Sequence, residues 1–453
     1  MQKFLFARIE LWVLLAVVLL GALGLVGYGA VILETTQGRG RFGALGDAAV
    51  TVAEIPGTAE KVLRGNDPMQ VFYKHRFEDQ YGWSWADGAT GTSLPGYYIL
   101  SYHIVAEQRA VIQMVRLSDG KVMHSWNPDI DALLADADRT SKVANIFNYT
   151  NGKYDHYHPI LMENGDLITK ATMTPLLRIN SCSGAVWMND DLVFHHSTEP
   201  DGTGGYWSPT VTEPSSLPDV GPTFLEDTLT HVTADGKVLE QISLPQIFLR
   251  HGREFDLFPT GHYNDDPLHL NDIQPVLADG PYWKKGDLFL SLRAKSMIML
   301  YRPSTDEIVW MQQGPWLSQH DVDILDDHRI AVYDNHASSR NGGVGTVRGN
   351  SDIVVYDFST NQFTRPYSAA MKREDVQSMY EGLYTILPSG DVIVEDHNSG
   401  RILFLAADGR KLGQFINRNP DGKVYQVGWG RYVDQAYGDA ALKQIAATPC
   451  ALP

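Results

Sequence analysis

Six times along this chain an apolar run ends in a tight polar turn and restarts as a second apolar run, often closing on an aromatic residue. The copies are Gln113 to Trp126 around Asp119-Gly120, Leu176 to Trp187 around Ser183-Gly184, Thr230 to Leu244 around Asp235-Gly236, Ile298 to Trp310 around Thr305-Asp306, Ile353 to Tyr367 around Thr360-Asn361, and Ile402 to Phe415 around Asp408-Gly409. Each reads as a β-hairpin. Successive turns lie 64, 52, 70, 55 and 48 residues apart, which leaves room for a four-stranded antiparallel sheet with loops of varying length. The repeat therefore predicts an all-β chain built as a six-bladed β-propeller; a large β-sandwich of unrelated hairpins is the competing arrangement.

At 453 residues the chain has room for about two or three average domains, yet a propeller uses this length as one closed unit, expected here over residues 71–453. The formal net charge of −17, with no Lys/Arg cluster anywhere, excludes nucleic acid as a partner, because neutralising phosphates needs a basic face. A small anionic substrate is not excluded, since a few Arg and His in one channel set the local field.

Leu11 to Leu33 is an almost wholly apolar run of 23 residues with Trp12 and Tyr28 near its edges, long enough to cross about 30 Å of hydrocarbon. Lys3 and Arg8 precede it and Glu34 follows, a bias that keeps the N-terminus cytoplasmic and exports the rest; Arg39 and Arg41 weaken that bias. A transmembrane signal anchor over residues 1–35 is expected, with a cleaved signal peptide as the alternative. Residues 36–70 read as a Gly- and Arg-rich linker followed by a short helical segment interrupted at Pro56. In an exported chain the two cysteines, Cys182 and Cys450, permit one disulfide closing a loop of about 270 residues; free buried thiols are the other reading.

Ser197 to Phe224, dense in Pro, Gly, Ser and Thr, reads as a long insertion over one face. Asp439 to Ala447 reads as a closing helix. Ring closure requires a strand from the N-terminal part, either Gly96 to His103 or Met69 to Phe77, to pair with the Val424 to Val433 region.

A second recurring element precedes most hairpins, a polar start carrying histidine and leading into a strand. It brings His158, His195 with His196, His269 and His320 to comparable places in four repeats; the fifth has Tyr380-Glu381-Gly382 there. Equivalent positions of different blades face one axis, so residues 50 to 70 apart in sequence become neighbours around one channel. A lone histidine is usually structural; four in register point to a site.

From about Tyr154 to Trp429 the chain resembles the bacterial arylsulfate sulfotransferases, which use no nucleotide sulfate donor. The resemblance is most specific in Pro267-Leu268-His269-Leu270-Asn271-Asp272, in Leu290-Ser291-Leu292-Arg293, and in Gln319-His320-Asp321 leading to Val332-Tyr333-Asp334-Asn335. It implies a six-bladed propeller in a bacterial inner membrane, single-pass, with the propeller on the periplasmic or extracellular side. It further implies an aryl sulfate donor, a phenolic acceptor, no cofactor and no metal, and is compatible with a homo-oligomer. Motif by motif, His320 corresponds to the nucleophile, Arg293 to the sulfate-binding arginine, His269 and Asn271 to a His-x-Asn pair, and His196 or His195 to a further cavity histidine. Arg340, in a Ser-Arg pair, and His158 are weaker substrate-binding candidates. The insert Ala278 to Lys285 is expected to reshape the cavity entrance.

The chemistry stands apart from the name. Sulfuryl transfer spreads charge over three oxygens, so it needs fixed donors around sulfur and a nucleophile in line with the departing phenolate. Neutral imidazole suits the nucleophile and forms a sulfohistidine; Arg293 offers a planar fork to two oxygens; His196 and His269 are candidates to hold the third oxygen or to protonate the leaving group. Trp83, Trp85, Trp283 and Trp316 are candidates for an aromatic wall, although packing is the commoner role for such residues. Two other functions use the same residues differently: a metal-dependent hydrolase with histidine ligands, against which Arg293 would set a cation beside a cation, and a non-catalytic propeller binding an envelope partner.

Overall fold

The computed structural model describes residues 10–36, 41–63, 76–77, 79–86, 91–261, 263–338 and 345–450. The N-terminal unit holds a helix over Leu11–Thr36, whose apolar side chains are largely exposed, and a second over Gly43–Leu63. Leu11–Thr35 is long and apolar enough to cross a membrane. The second helix continues through Pro56, where the sequence suggested an interruption: a proline removes one backbone donor, and here it does not end the helix. Within this unit Tyr28 donates its hydroxyl to Ala49 O at 2.7 Å, and the Arg41 amide donates to Glu34 at 3.2 Å.

The larger unit is propeller-like. Four discrete sheets have four or five strands: Arg431–Val433 with Tyr97–Ile104, Arg109–Arg116 and Lys121–Trp126; Leu270–Pro275 to Glu307–Gln313; His320–Ile324 to Gln362–Thr364; and Leu383–Ile386 to Lys411–Ile416, with Gly82–Trp85 added on its last strand. A double-width sheet runs from Tyr157–Leu161 to Val238–Ser243, because the end of the ten-residue strand Ala185–Phe194 also pairs with Thr210 and Val211. All six sequence hairpins are antiparallel strand pairs of these sheets; four end a sheet, the pair at Leu176 to Trp187 lies inside the double-width sheet, and the pair at Ile402 to Phe415 has Gly82–Trp85 beyond it.

Alternation along each strand explains how the sheets hold together. Successive side chains point to opposite faces, so one strand serves two cores. Leu288, Leu290 and Leu292 pack toward Leu229 and Phe248, while Phe289 between them packs with Val322 and Val354 of the following sheet. Tyr98 and Leu100 join Ile393 and Phe404 of the last sheet, whereas Tyr97 and Ile99 join Leu161 and Ile179 of the sheet beginning at Tyr157. Each fully buried Leu or Phe contributes roughly 1.5–3 kcal/mol, so these layered interfaces carry the bulk of the stability.

Closure uses the first of the two expected segments: Tyr97, Tyr98 and Ile99 pair antiparallel with Val433, Tyr432 and Arg431. Most of Met69 to Phe77 lies outside the described residues. The terminal helix is longer than expected, Gln435–Ala447, and starts where Asp434 accepts a hydrogen bond from the Tyr437 amide. It docks so closely that a Cβ on Gly438 would fall 2.2 Å from the Tyr97 ring, and beyond it Cys450 is bonded to Cys182.

Two expectations need correction. Ser197 to Phe224 is not a surface insertion, since it contains the buried strand Tyr206–Thr212; threonine, tryptophan and tyrosine set the strand while its proline and glycine lie mainly in the flanking turns. The insert Ala278 to Lys285 does not border His269 and Arg293. Strand pairing sets Leu270 opposite Leu292 at one end and Pro275 opposite Leu288 at the other, about 16 Å away at the usual rise per residue, and the insert joins that far end. There Trp283 packs 5.4 Å from both Phe289 and Phe358.

Candidate functional site

The inner strands begin in unusual backbone. His158, His196, His269 and Glu381 adopt left-handed φ values of 48°, 50°, 54° and 54°, each at or just before the start of an inner strand, and Asp321 beside His320 has φ 53°. Such conformations cost a non-glycine residue on the order of 1–3 kcal/mol, and they persist where the surroundings over-determine them. At the inner edge the pairing slips between Leu270 and Asp272 and between His320 and Val322, a β-bulge irregularity of the kind also found in hairpins behind, as between Leu300 and Tyr301. These bends aim the side chains.

The three proposed catalytic imidazoles meet. The His196 ring centroid lies 5.1 Å from His269 and 6.1 Å from His320, with His195 also 5.1 Å away. Arg293, on the turn after Leu292, has its amide bonded to the His269 carbonyl at 3.0 Å, so the two share one sheet edge. Its Nε is buried and has no hydrogen-bond partner among the described residues. A buried donor without a partner is costly, and an anion placed here would satisfy it.

The hydrogen bonds orient each ring. His195 and His196 share a bond between their Nδ1 atoms at 2.9 Å, and His269 Nδ1 bonds to Asp266, leaving its Nε2 free of that contact. Asn335 donates through Nδ2 to Ser378 O at 3.0 Å and Glu381 O at 2.6 Å, so its Oδ1 faces His320 Nδ1 at 2.8 Å. On the other side the Glu381 amide donates to His320 Nε2 at 3.2 Å. Asn271 donates to Gln319 O at 2.8 Å, which ties its strand to that of His320, and its Oδ1 is buried and unpartnered.

Burial pushes the His320 imidazole well below the ordinary histidine range, and the charge of Arg293 adds to it. His196 is depressed likewise, first by burial and then by His195, His269, His320 and Arg293, and His195 falls to about 3. All three are neutral bases at pH 7. Arg293 is itself lowered by burial, against the pull of Asp266 and Glu381, and stays a cation.

His158 sits elsewhere. It lies 5.5 Å from Trp429, whose ring is also 5.9 Å from His320, but it lines a separate cavity of about 170 Å³ with Glu199, Asp321, Asp323 and Arg431, its Nδ1 3.1 Å from Glu199. A larger groove of about 570 Å³ beside Ile160, Tyr206 and Tyr437 contains none of these histidines. Arg340 lies outside the described residues. Trp83 stacks on Phe404 and on Trp85, and Trp283 and Trp316 are buried in a sheet interface, so all four pack rather than wall the site.

Residues that sequence reasoning left without a role complete the arrangement: Asp266, Asn335, Glu381, His397 and Trp429. Glu381 was visible as the non-histidine member of the recurring element. Behind it His397 Nε2 stands 3.2 Å from its carboxyl, and burial with Asp155 nearby raises Glu381 to about 8. Among the described residues the group whose ligand atoms stand close enough to share a metal ion is Asp326, Asp327 and His328, on a turn away from this cluster; the cluster's own imidazoles each commit one nitrogen to a neighbour.

A family model described as Arylsulfotransferase (ASST) matches residues 158–418. No curated protein matches the chain. Among solved structures, a protein of unknown function from Bacteroides caccae aligns at 12% identity and TM-score 0.45 over 74% of this chain and 98% of its own, and virginiamycin B lyase from Staphylococcus aureus at 13% and 0.33 over 57% and 69%. The Pan2 WD40 domain of Neurospora crassa aligns at 9% and 0.38 over 75% and 91%. Likeness this distant carries nothing about activity.

Proposed function

The chain belongs to the arylsulfotransferase family, and on that footing we propose that it moves a sulfuryl group from an aryl sulfate to a phenolic acceptor in two steps through His320, without a nucleotide donor or cofactor. The observation that carries this reading is a neutral imidazole, held at both nitrogens, in one cluster with two further imidazoles and with Arg293, whose Nε is buried without a hydrogen-bond partner among the described residues.

In the first step the Glu381 amide gives up its hydrogen bond to His320 Nε2, the freed lone pair attacks sulfur, the S–O bond to the aryl group breaks, and the bonding pair leaves as phenolate. Arg293 holds two sulfuryl oxygens as a fork, and His196 or His269 donates to the third. The Asp266 hydrogen bond supports His269 as the group that protonates the departing oxygen. In the second step the acceptor phenol takes the sulfuryl group and gives up its proton. His195 backs His196; Asn271 holds the His320 strand; His158, across Trp429, is left out of sulfuryl contact; Arg340 stays a binding candidate.

The same reading treats the double-width sheet as two blades, which makes six over residues 71–453, with residues 36–70 as connection. It takes residues 1–35 as a membrane anchor that leaves the propeller on the exported side, a cleaved signal being the alternative.

Brief exposure to a coloured aryl sulfate, followed by intact-mass measurement, is expected to show one added SO₃ group, absent in His320→Ala. Phenol release should accelerate when a second phenol is supplied. A protein that forms no adduct and shows no acceptor dependence would refute the reading.

A further inference from the structure

The partner of His320 Nδ1 is an amide where a carboxylate would be the familiar choice for an imidazole that needs orienting. Its orientation is not ambiguous. Were the Asn335 amide turned over, its oxygen would face the carbonyls of Ser378 and Glu381, to which Nδ2 now donates at 3.0 and 2.6 Å; oxygen against two oxygens is repulsive. Oδ1 therefore faces Nδ1, which must carry the proton. Independently, Nε2 accepts from the Glu381 amide at 3.2 Å and so must present its lone pair. Two separate contacts, one on each nitrogen, demand the same tautomer, and Asn335 and Ser378 are fully buried, so water does not compete for the bond.

We infer that Asn335 is a positioning residue that sets the tautomer of His320 and, because an amide cannot take the Nδ1 proton, keeps the sulfated ring cationic and ready to release its sulfuryl group. The inference rests on the reading of His320 as nucleophile. When Nε2 bonds to sulfur and the aryl oxygen leaves with its electron pair, Nδ1 keeps its proton and the ring becomes an N-sulfoimidazolium. When the acceptor oxygen attacks sulfur, the N–S bond breaks and the pair returns to Nε2, restoring the starting tautomer. No proton moves on His320 in either half; the proton given up by the acceptor phenol balances the one taken up by the departing phenolate. A carboxylate at position 335 would draw the Nδ1 proton toward itself, make the ring more basic, and turn the sulfated imidazole into a poorer leaving group.

The test separates the two half-reactions. In Asn335→Asp a carboxyl oxygen replaces the donor to Ser378 O and Glu381 O, so the burst of phenol from an aryl sulfate is expected to slow somewhat, while transfer from the adduct to a second phenol slows on the order of a hundredfold more than the burst, so that the His320 adduct accumulates. A merely structural role would slow both halves together, and that result overturns the inference, as does unchanged turnover. The wild-type protein supplies a readout that does not depend on the variant folding: ¹⁵N NMR of histidine-labelled protein, with His320→Gln to assign the signal, is expected to show Nδ1 protonated, and an Nε2-protonated ring overturns the inference. If the wild type itself forms no adduct, the nucleophile reading fails and this one with it; a wild type that turns over beside a variant slowed equally in both halves removes the inference alone.

Discussion

The outer hairpins and the inner strand starts are parts of the same sheets, yet they obey different rules. In the outer pairs, such as Met297–Arg302 with Glu307–Gln313, registers are long and apolar residues alternate into two cores. At the inner starts His158, His196, His269 and Glu381 take left-handed backbone, and polar atoms such as Arg293 Nε and Asn271 Oδ1 are buried without hydrogen-bond partners among the described residues. The outer region holds the fold together, and its surplus stability tolerates the inner strain, an arrangement expected where function and stability compete.

The sharpest test is to remove a residue from each region and ask which property falls. Arg293→Ala should lower turnover about 10²- to 10³-fold, the usual loss for one donor to a developing charge, while Tm holds because a buried donor without a partner, Nε, is gone. Parallel losses of activity and Tm would erase the distinction. Leu300→Ala, in the interface with Phe289 and Val322, should cost about 3 kcal/mol in denaturant unfolding and leave turnover unchanged below the melting transition.

A pH series sharpens the contrast further. Glu381 faces Asp155, Tyr157, Tyr380, Arg293, His320 and His397, with Glu395 beyond, and its carboxyl is raised by burial and Asp155 to about 8. A carboxyl raised on folding stabilises fully below its ordinary pKa and loses that contribution as pH climbs through 8. The depressed histidines, His195 at about 3 and His397 at about 4, act oppositely: their contribution is whole above the ordinary histidine value and is lost as pH falls toward those values. Stability should therefore peak in mildly acid solution and decline from pH 6.5 to 8, with Glu381→Gln removing about 2 kcal/mol of that decline. An identical decline in the variant would show that the inner edge does not hold this acid neutral. The smallest effect belongs to an outer connection: Gln108, exposed with φ 51°, should gain roughly 0.5–1 kcal/mol on replacement by glycine, with no change in turnover.

The sequence displayed the hairpins because period-two alternation and Asp-Gly turns are local signals. It displayed His196, His269 and His320 because they recur before strands, and Arg293 through the resemblance. Asn335 stood in a quoted motif without a role, since what it does depends on carbonyls 43 and 46 residues away in sequence. Trp429 fell outside any repeat, and the insert Ala278 to Lys285 was misplaced because sequence distance from His269 says nothing about which end of a strand a loop joins.

By itself the chain order determined that strands pair in hairpins, that these recur, that one N-terminal stretch is long and apolar enough for a membrane, and which histidines recur at like places. Only the tertiary structure decided which imidazole nitrogen faces a donor and which an acceptor, that His158 stands apart from the other three, and that Glu381 and Asn335 hold His320 from both sides. The first set follows from covalent neighbours and the period of a strand; the second depends on burial and on contacts across the ring, where local desolvation and charge set each group's state.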